Sequence, residues 1–371
     1  MSSPLQRYQQ DLLKPDFMAD ASQALAIAKL QDLFERLCSQ SQSLSLVVRI
    51  RRAWNIWLKK PQEPVKGLYF WGGVGRGKTY LMDIFFETLP FEQKMRTHFH
   101  RFMRRVHQEL NELKGEKNPL VKVAERLSRE ARVICFDEFF VTDITDAMIL
   151  AGLLEALFER GVTLVATSNI VPTGLYQNGL QRARFLPAIT LLQQHTEVVN
   201  IDGGIDYRLR ALQQAALYYS PLTAEADIQL AECFLRLAMD AQKIVCDVPL
   251  VVEGRTIMAR KVTDDVAWFD FYALCDGPRS QRDYIELARE YHAVVVSNVP
   301  LLGQGNDDQA RRFIYMVDEF YDRGVKLVIS AAEPIVALYS PEGRLKFEFE
   351  RTQSRLLEMQ SEDYLALAHK A

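Results

Sequence analysis

The chain has 371 residues, 48% of them hydrophobic and 25% charged, enough apolar material for two or three packed domains and too much for a disordered chain. A formal net charge of -3 leaves no general basic field to draw in nucleic acid or acidic membrane. Five scattered cysteines, odd in number and without a C-x-x-C pair, fit a reducing compartment and give neither a disulfide framework nor a zinc site.

In chain order, residues 1 to 20 mix Pro4, Lys14, Asp16 and Asp20 with few apolar runs. They read neither as a secretory signal nor as an Arg-rich transit peptide. No segment approaches the roughly 18 consecutive apolar residues of a membrane span, so a cytoplasmic protein is expected. Leu25, Ala28, Leu30, Leu33, Phe34 and Leu37 recur at helical spacing and predict an amphipathic helix over 21–40. Residues 45–60 carry five basic side chains and no acid, interleaved with Val47, Val48, Ile50, Trp54, Trp57 and Leu58. Such a helix can lie on a membrane surface or pack its apolar face on a neighbouring domain. Pro61 and Pro64 close this helical region, expected over 1–65.

From residue 66 short apolar runs alternate with helical patterns, the form of a parallel α/β sheet. Strands are predicted at Gly67–Trp71, Met95–Phe99, Arg132–Phe136, Val162–Thr167 and Glu197–Ile201, giving a five-stranded core over 66–203. Helices are predicted at Lys78–Thr88, Met103–Lys114 and Asp146–Arg160, with a short one after Pro172. Between the first strand and its helix stands GGVGRGKT, residues 72 to 79, which satisfies G-x-x-x-x-G-K-[ST]. Gly72, Gly73, Val74, Gly75, Arg76 and Gly77 would turn backbone N–H groups around the phosphates of ATP. Lys78 would bridge the β and γ phosphates and Thr79 would ligate Mg²⁺.

Residues 98 to 107 read HFHRFMRRVH. Its three histidines have no carboxylate or cysteine at ligand spacing nearby, which argues against a metal. Phe102 and Met103 either grip a polymer in a ring pore or belong to the core. At 133 to 138 comes VICFDE, a buried strand with acids at its C-terminal end, where α/β ligands bind. Asp137 would hold Mg²⁺ through water, and Glu138 would polarise the attacking water. Asn169, at the polar end of the next strand, would contact the γ-phosphate, or is a turn-forming Asn before Pro172. Arg182 and Arg184 follow; one of them reaches a neighbouring subunit's nucleotide as a finger, or both are surface arginines. Arg208 and Arg210 are candidate nucleotide sensors, fixed by no spacing argument.

Beyond residue 203 a third region, 204–371, opens with a helix for which Thr223 is the expected N-cap. Strands are predicted at Thr256–Val262, Ala267–Phe271, Ala293–Ser297 and Val325–Ile329. Leu157–Thr167 reads LFERGVTLVAT and Phe320–Ser330 reads FYDRGVKLVIS. These are either a duplicated helix-to-strand unit or two independent helix ends stopped by Arg-Gly.

Several longer strings are specific: GLYFWGGVGRGKTYLMD, THFHRFMRRVH, CFDEFFVTDITDAMIL, LVATSNIVP, NGLQRARFLPAI, DYRL, SQRDYIELA, ARRFIYMVDEFYDRGVKLVISA and FEFERTQSRLLEMQS. On them the chain from about residue 66 resembles the ZapE-type cell-division ATPases, a bacterial branch with mitochondrial relatives. The resemblance implies an AAA-type fold, ATP hydrolysis and a role at the division ring through FtsZ, whose polymers the family is thought to destabilise. It carries GGVGRGKT over as the nucleotide loop, Asp137 and Glu138 as the acid pair, and Arg182 as the likelier finger, in a protein able to form homo-oligomers. The rival expectations are a nucleic-acid motor or loader, drawn from the basic stretches and opposed by the acidic total, and a non-hydrolysing nucleotide switch, opposed by Glu138.

Overall fold

The computed structural model describes residues 2–14, 21–42, 64–73, 77–201, 212, 216–238, 243–303, 305–367 and 369, and the chain divides into two compact units, 1–206 and 207–371. The basic 45–60 stretch, Val74 to Arg76, and Arg208 and Arg210 lie outside the described residues.

The first unit is built on a five-stranded, wholly parallel sheet: β1 Gly67–Trp71, β2 Lys94–His98, β3 Val133–Asp137, β4 Thr163–Ser168 and β5 Thr196–Asn200, in the order β2-β3-β4-β1-β5. The central strands are apolar at successive positions because helices cover both faces of a parallel sheet. Side chains alternate across those faces. Tyr69, Ile134, Phe136, Leu164 and Ala166 point to one side. They pack there on α4 Phe99–Glu112, α5 Pro119–Glu130, α6 Ile144–Phe158 and α7 Leu186–His195. Leu68, Phe70, Val133, Cys135 and Val165 point to the other, where α1 Pro4–Asp11, α2 Ala21–Gln42 and α3 Lys78–Thr88 lie.

The helix expected over 21–40 therefore shares its core with the sheet. Its buried stripe is Ala26, Ile27, Leu30, Leu33 and Leu37, whereas the expected Leu25 is 51% exposed. Phe102 and Met103 are buried against the β3 side chains, so neither is available to grip a polymer, and that expectation is corrected. At Gly67 a Cβ would stand 1.8 Å from the Leu164 carbonyl oxygen, so only glycine lets β1 and β4 approach this closely.

In the second unit β6 Tyr218–Tyr219, β9 Val266–Asp270, β10 Ala293–Val299 and β11 Lys326–Ala331 run parallel in the order β6-β11-β10-β9. A hairpin of β7 Val245–Val252 and β8 Arg255–Val262 adds two antiparallel strands beyond β9. The helices are α8 Ala224–Ala238, α9 Phe271–Cys275, α10 Gln281–Glu290, α11 Asp307–Asp322, α12 Lys346–Glu358 and α13 Glu362–Leu365. Thr223 caps α8 through its hydroxyl, which accepts from the Ala226 N–H at 3.2 Å. Among the described residues no helix is long and apolar enough to cross a membrane.

Candidate active site

The strand-to-helix turn between β1 and α3 ends on Gly77, held at φ 78°, a left-handed value that glycine adopts without the steric cost a Cβ brings. It stands where α3 begins, so the unpaired N–H groups of the first turn open toward the loop. The Gln23 side chain of α2 lies against Gly77: a Cβ there would come within 2.7 Å of the Gln23 Nε2. Lys78 reaches back to the residues that follow β1. Its ammonium donates to the carbonyls of Gly72 at 2.5 Å and Gly73 at 2.7 Å, and to Asn169 Oδ1 at 2.7 Å. A lysine and an asparagine far apart in the chain thus converge because β1 and β4 are paired, with Trp71 opposite Ser168.

Asp137 ends β3, one strand further along. Its carboxylate accepts from Arg96 of β2, at 2.7 Å from Nε and 3.4 Å from Nη2. The same guanidinium also bonds Asp83, on α3 one turn after Thr79. Burial would lower the pKa of Arg96, but Asp137 and then Asp83 raise it further, so the net shift is upward. Carboxylate oxygens are the donors Mg²⁺ takes, and here both carboxylates share one guanidinium, which a cation would have to compete with or displace. Sequence reading missed Arg96, Asp83 and Gln23. The one local signal was the Thr79–Asp83 spacing, which puts both on one helical face.

Glu138 follows in the left-handed region at φ 54°, uncommon for a side chain of this size and costing on the order of 1–3 kcal/mol. Pairing with the next strand holds it there. Its N–H donates to Thr167 Oγ1 at 3.3 Å, and the Phe139 N–H donates to the Thr167 carbonyl at 2.7 Å. The Glu138 Oε2 lies 4.0 Å from His98 Nδ1, at the end of β2. Ser168 Oγ donates to the Phe139 carbonyl at 2.7 Å, and Tyr69 Oη donates to the Ile170 carbonyl at 2.9 Å, fixing the turn that carries Asn169. His107 pairs instead with Asp146 at 2.6 Å, away from His98.

Lys78, Asp137, Glu138 and Asn169 are therefore gathered at the C-terminal ends of β1, β3 and β4, with Thr79 next to Lys78. Arg182 and Arg184 are not part of this cluster. They occupy a 3-10 turn before α7, where Arg182 Nη2 donates to the Thr173 carbonyl at 2.7 Å and Arg184 is exposed.

Comparison with known proteins gives the family. The sequence profile described as AFG1-like ATPase matches residues 2–368. The chain is 48% identical over 373 aligned positions to "Cell division protein ZapE" of Escherichia coli strain K12, covering 100% of this chain and 99% of that one. It is 37% identical to "Lactation elevated protein 1 homolog B" of Danio rerio, covering 82% of this chain and 69% of the relative. Among solved structures, a DnaC helicase loader overlays 53% of this chain and 99% of its own at 14% identity and TM-score 0.35, too loose a match to carry an argument.

Proposed function

The chain belongs to the AFG1-like ATPase family, and from that premise we propose that it couples Mg-dependent ATP hydrolysis to the destabilisation of FtsZ polymers at the division ring. One observation supports the hydrolytic half most: Lys78 and Asn169 meet beside Gly72 and Gly73, while Asp137 ends β3 and Glu138 follows it. Kinship with the E. coli cell division protein supports the other half.

On this reading the Lys78 ammonium would leave the Gly72 and Gly73 carbonyls for the β and γ phosphates, to which the N–H groups of GGVGRGKT would donate. Thr79 and Asp137 would hold Mg²⁺, which would supply positive charge to the phosphate oxygens. Asn169 orients the γ-phosphate. Glu138 polarises the attacking water and takes its proton as the new P–O bond forms and the bond to ADP breaks. Arg182 would stabilise the transferred phosphoryl group in a neighbouring copy.

Lys78→Ala should lose nucleotide binding, whereas Glu138→Gln should bind ATP and turn it over at least a hundredfold more slowly, in line with the ~10²–10⁴ typical of general-base steps. Affinity by fluorescent-nucleotide titration and turnover by phosphate release separate the two. Equal loss of binding in both variants would sink the role given to Glu138. For the division half, FtsZ polymers should sediment less when this protein and ATP are present, and normally with the Lys78 variant. Unchanged sedimentation would remove FtsZ and leave the ATPase.

A further inference from the structure

The second unit repeats four strands of the first in the same order. In both, a strand and helix are followed by a strand, two helices, a strand, one helix and a strand that pairs with the first; β5 has no counterpart. Thus β6, β9, β10 and β11 take the places of β1, β2, β3 and β4, with the β7–β8 hairpin inserted before β9.

The detail repeats as well. The Tyr69 hydroxyl reaches the carbonyl of Ile170, four residues past its cross-strand partner Ala166. The Tyr218 hydroxyl reaches the carbonyl of Glu333 at 2.7 Å, four residues past its partner Ile329. Glu138 sits at φ 54° and donates its N–H to Thr167 Oγ1; Asn298 sits at φ 65° and donates its N–H to Ser330 Oγ at 3.1 Å. Gly161 and Gly324, at φ 76° and 70°, end the preceding helices in the same way. The LFERGVTLVAT and FYDRGVKLVIS strings mark the same positions, which favours duplication over coincidence.

What differs is the phosphate seat. From Tyr69 to Gly77, the cap of α3, the chain takes eight steps; from Tyr218 to Thr223, the cap of α8, it takes five, through Tyr219, Ser220, Pro221 and Leu222. Ala224 and Glu225 therefore take the helix positions of Lys78 and Thr79, and the Thr223 hydroxyl is occupied in capping α8. Ser297 stands in the position of Asp137, and Trp268, in the position of Arg96, donates to it at 3.2 Å. The cation comes from β8 instead: Arg260 donates to Ser297 Oγ at 2.9 Å, lies over the Trp268 ring at 4.6 Å, and stands 4.0 Å from Asp227. The arginine bridging helix and strand is kept by relocation, while every phosphate-binding group is gone.

We infer that residues 216–367 are a divergent second copy of the nucleotide-holding unit in which protein side chains have closed the phosphate seat, so that each chain takes one nucleotide and never two. This rests on the proposed function only in assigning that one nucleotide to the first unit.

The test is stoichiometry on the full chain, by equilibrium dialysis with magnesium and the non-hydrolysable analogue AMP-PNP up to millimolar concentration. One analogue per wild-type chain and none in Lys78→Ala is the expected result. Two per wild-type chain, or saturable binding that survives Lys78→Ala and is lost on adding Thr223→Ala, would overturn the inference. A wild-type chain that takes up none would defeat the proposed function and still agree with a closed second seat.

Discussion

At Arg96 a single guanidinium, with 14% of its side chain exposed, holds the carboxylates of Asp83 and Asp137 together. Without it two acids would face each other in a poorly solvated place, and like charges there disfavour both being ionised. Arg96→Ala should cost about 3 kcal/mol, the scale of breaking a buried ion pair. Mg²⁺ should restore part of this by supplying charge to the same oxygens. Thermal unfolding with and without Mg²⁺ reads it out: the variant's midpoint should rise on adding Mg²⁺ by more than the wild type's. An equal rise in both would show that the acids do not depend on the guanidinium. Lys78, Thr79 and Asp137 were legible in the sequence because the loop motif is contiguous and the acid directly ends an apolar strand. Arg96 was not, because its partners lie 13 and 41 residues away and only strand pairing brings them in.

The elements that carry the site read unevenly for physical reasons. β1 and α3 fall where the apolar run and the helical period place them, since Gly67 and Gly72 bound the strand, Gly77 opens the helix and Pro90 follows its end. The other core strands lie within a residue or so of their expected ends. α5 was missed because its buried stripe is only Val123, Ala124 and Leu127 among charged neighbours. β7 was missed because a single residue, Val252, is buried and Pro249 interrupts it, as an edge strand permits. The N-terminal helices showed no chemistry in sequence, yet they abut the nucleotide loop. Tyr80, next to Thr79 on α3, donates to Asp11 Oδ2 of α1 at 2.8 Å, and burial together with that carboxylate raises the phenol's pKa. Asp11 is also paired with Lys14 at 2.6 Å and stands 3.9 Å from Arg7, so it keeps both cations when the phenol is removed. Tyr80→Phe should therefore cost only ~1 kcal/mol, one hydrogen bond to a charged group with partial compensation. Urea denaturation should show a lower midpoint at unchanged slope, and an unaltered midpoint would mean that α1 contributes nothing through this contact.

At the scale of the whole molecule, a finger makes turnover depend on assembly. A finger supplied by a neighbour is worth about 10³ or more in turnover, so specific activity should rise with protein concentration if Arg182 acts in that way. Arg182→Ala subunits keep a sound pocket and Glu138→Gln subunits keep a finger, so mixing the two inactive variants should recover part of the activity. The same mixture with Arg184→Ala in place of Arg182→Ala tells the two arginines apart. No recovery and a flat concentration dependence would make Arg182 a residue that merely braces Thr173. The strand order also has a consequence for how the chain comes to be made. β1 lies between β4 and β5, yet Leu68 pairs with Val165 and Glu197, residues translated long after it. At roughly 5–20 residues per second a ribosome needs on the order of ten seconds to deliver both partners, and for that time GLYFW is an apolar strand with two open edges. Released chains ending at residue 160 should be cut readily by thermolysin within 67–71, whereas chains completed through residue 206 should resist there. Before its glycine loop can meet a nucleotide, this protein has to survive the interval in which the strand feeding that loop is the most adhesive part of an unfinished polypeptide.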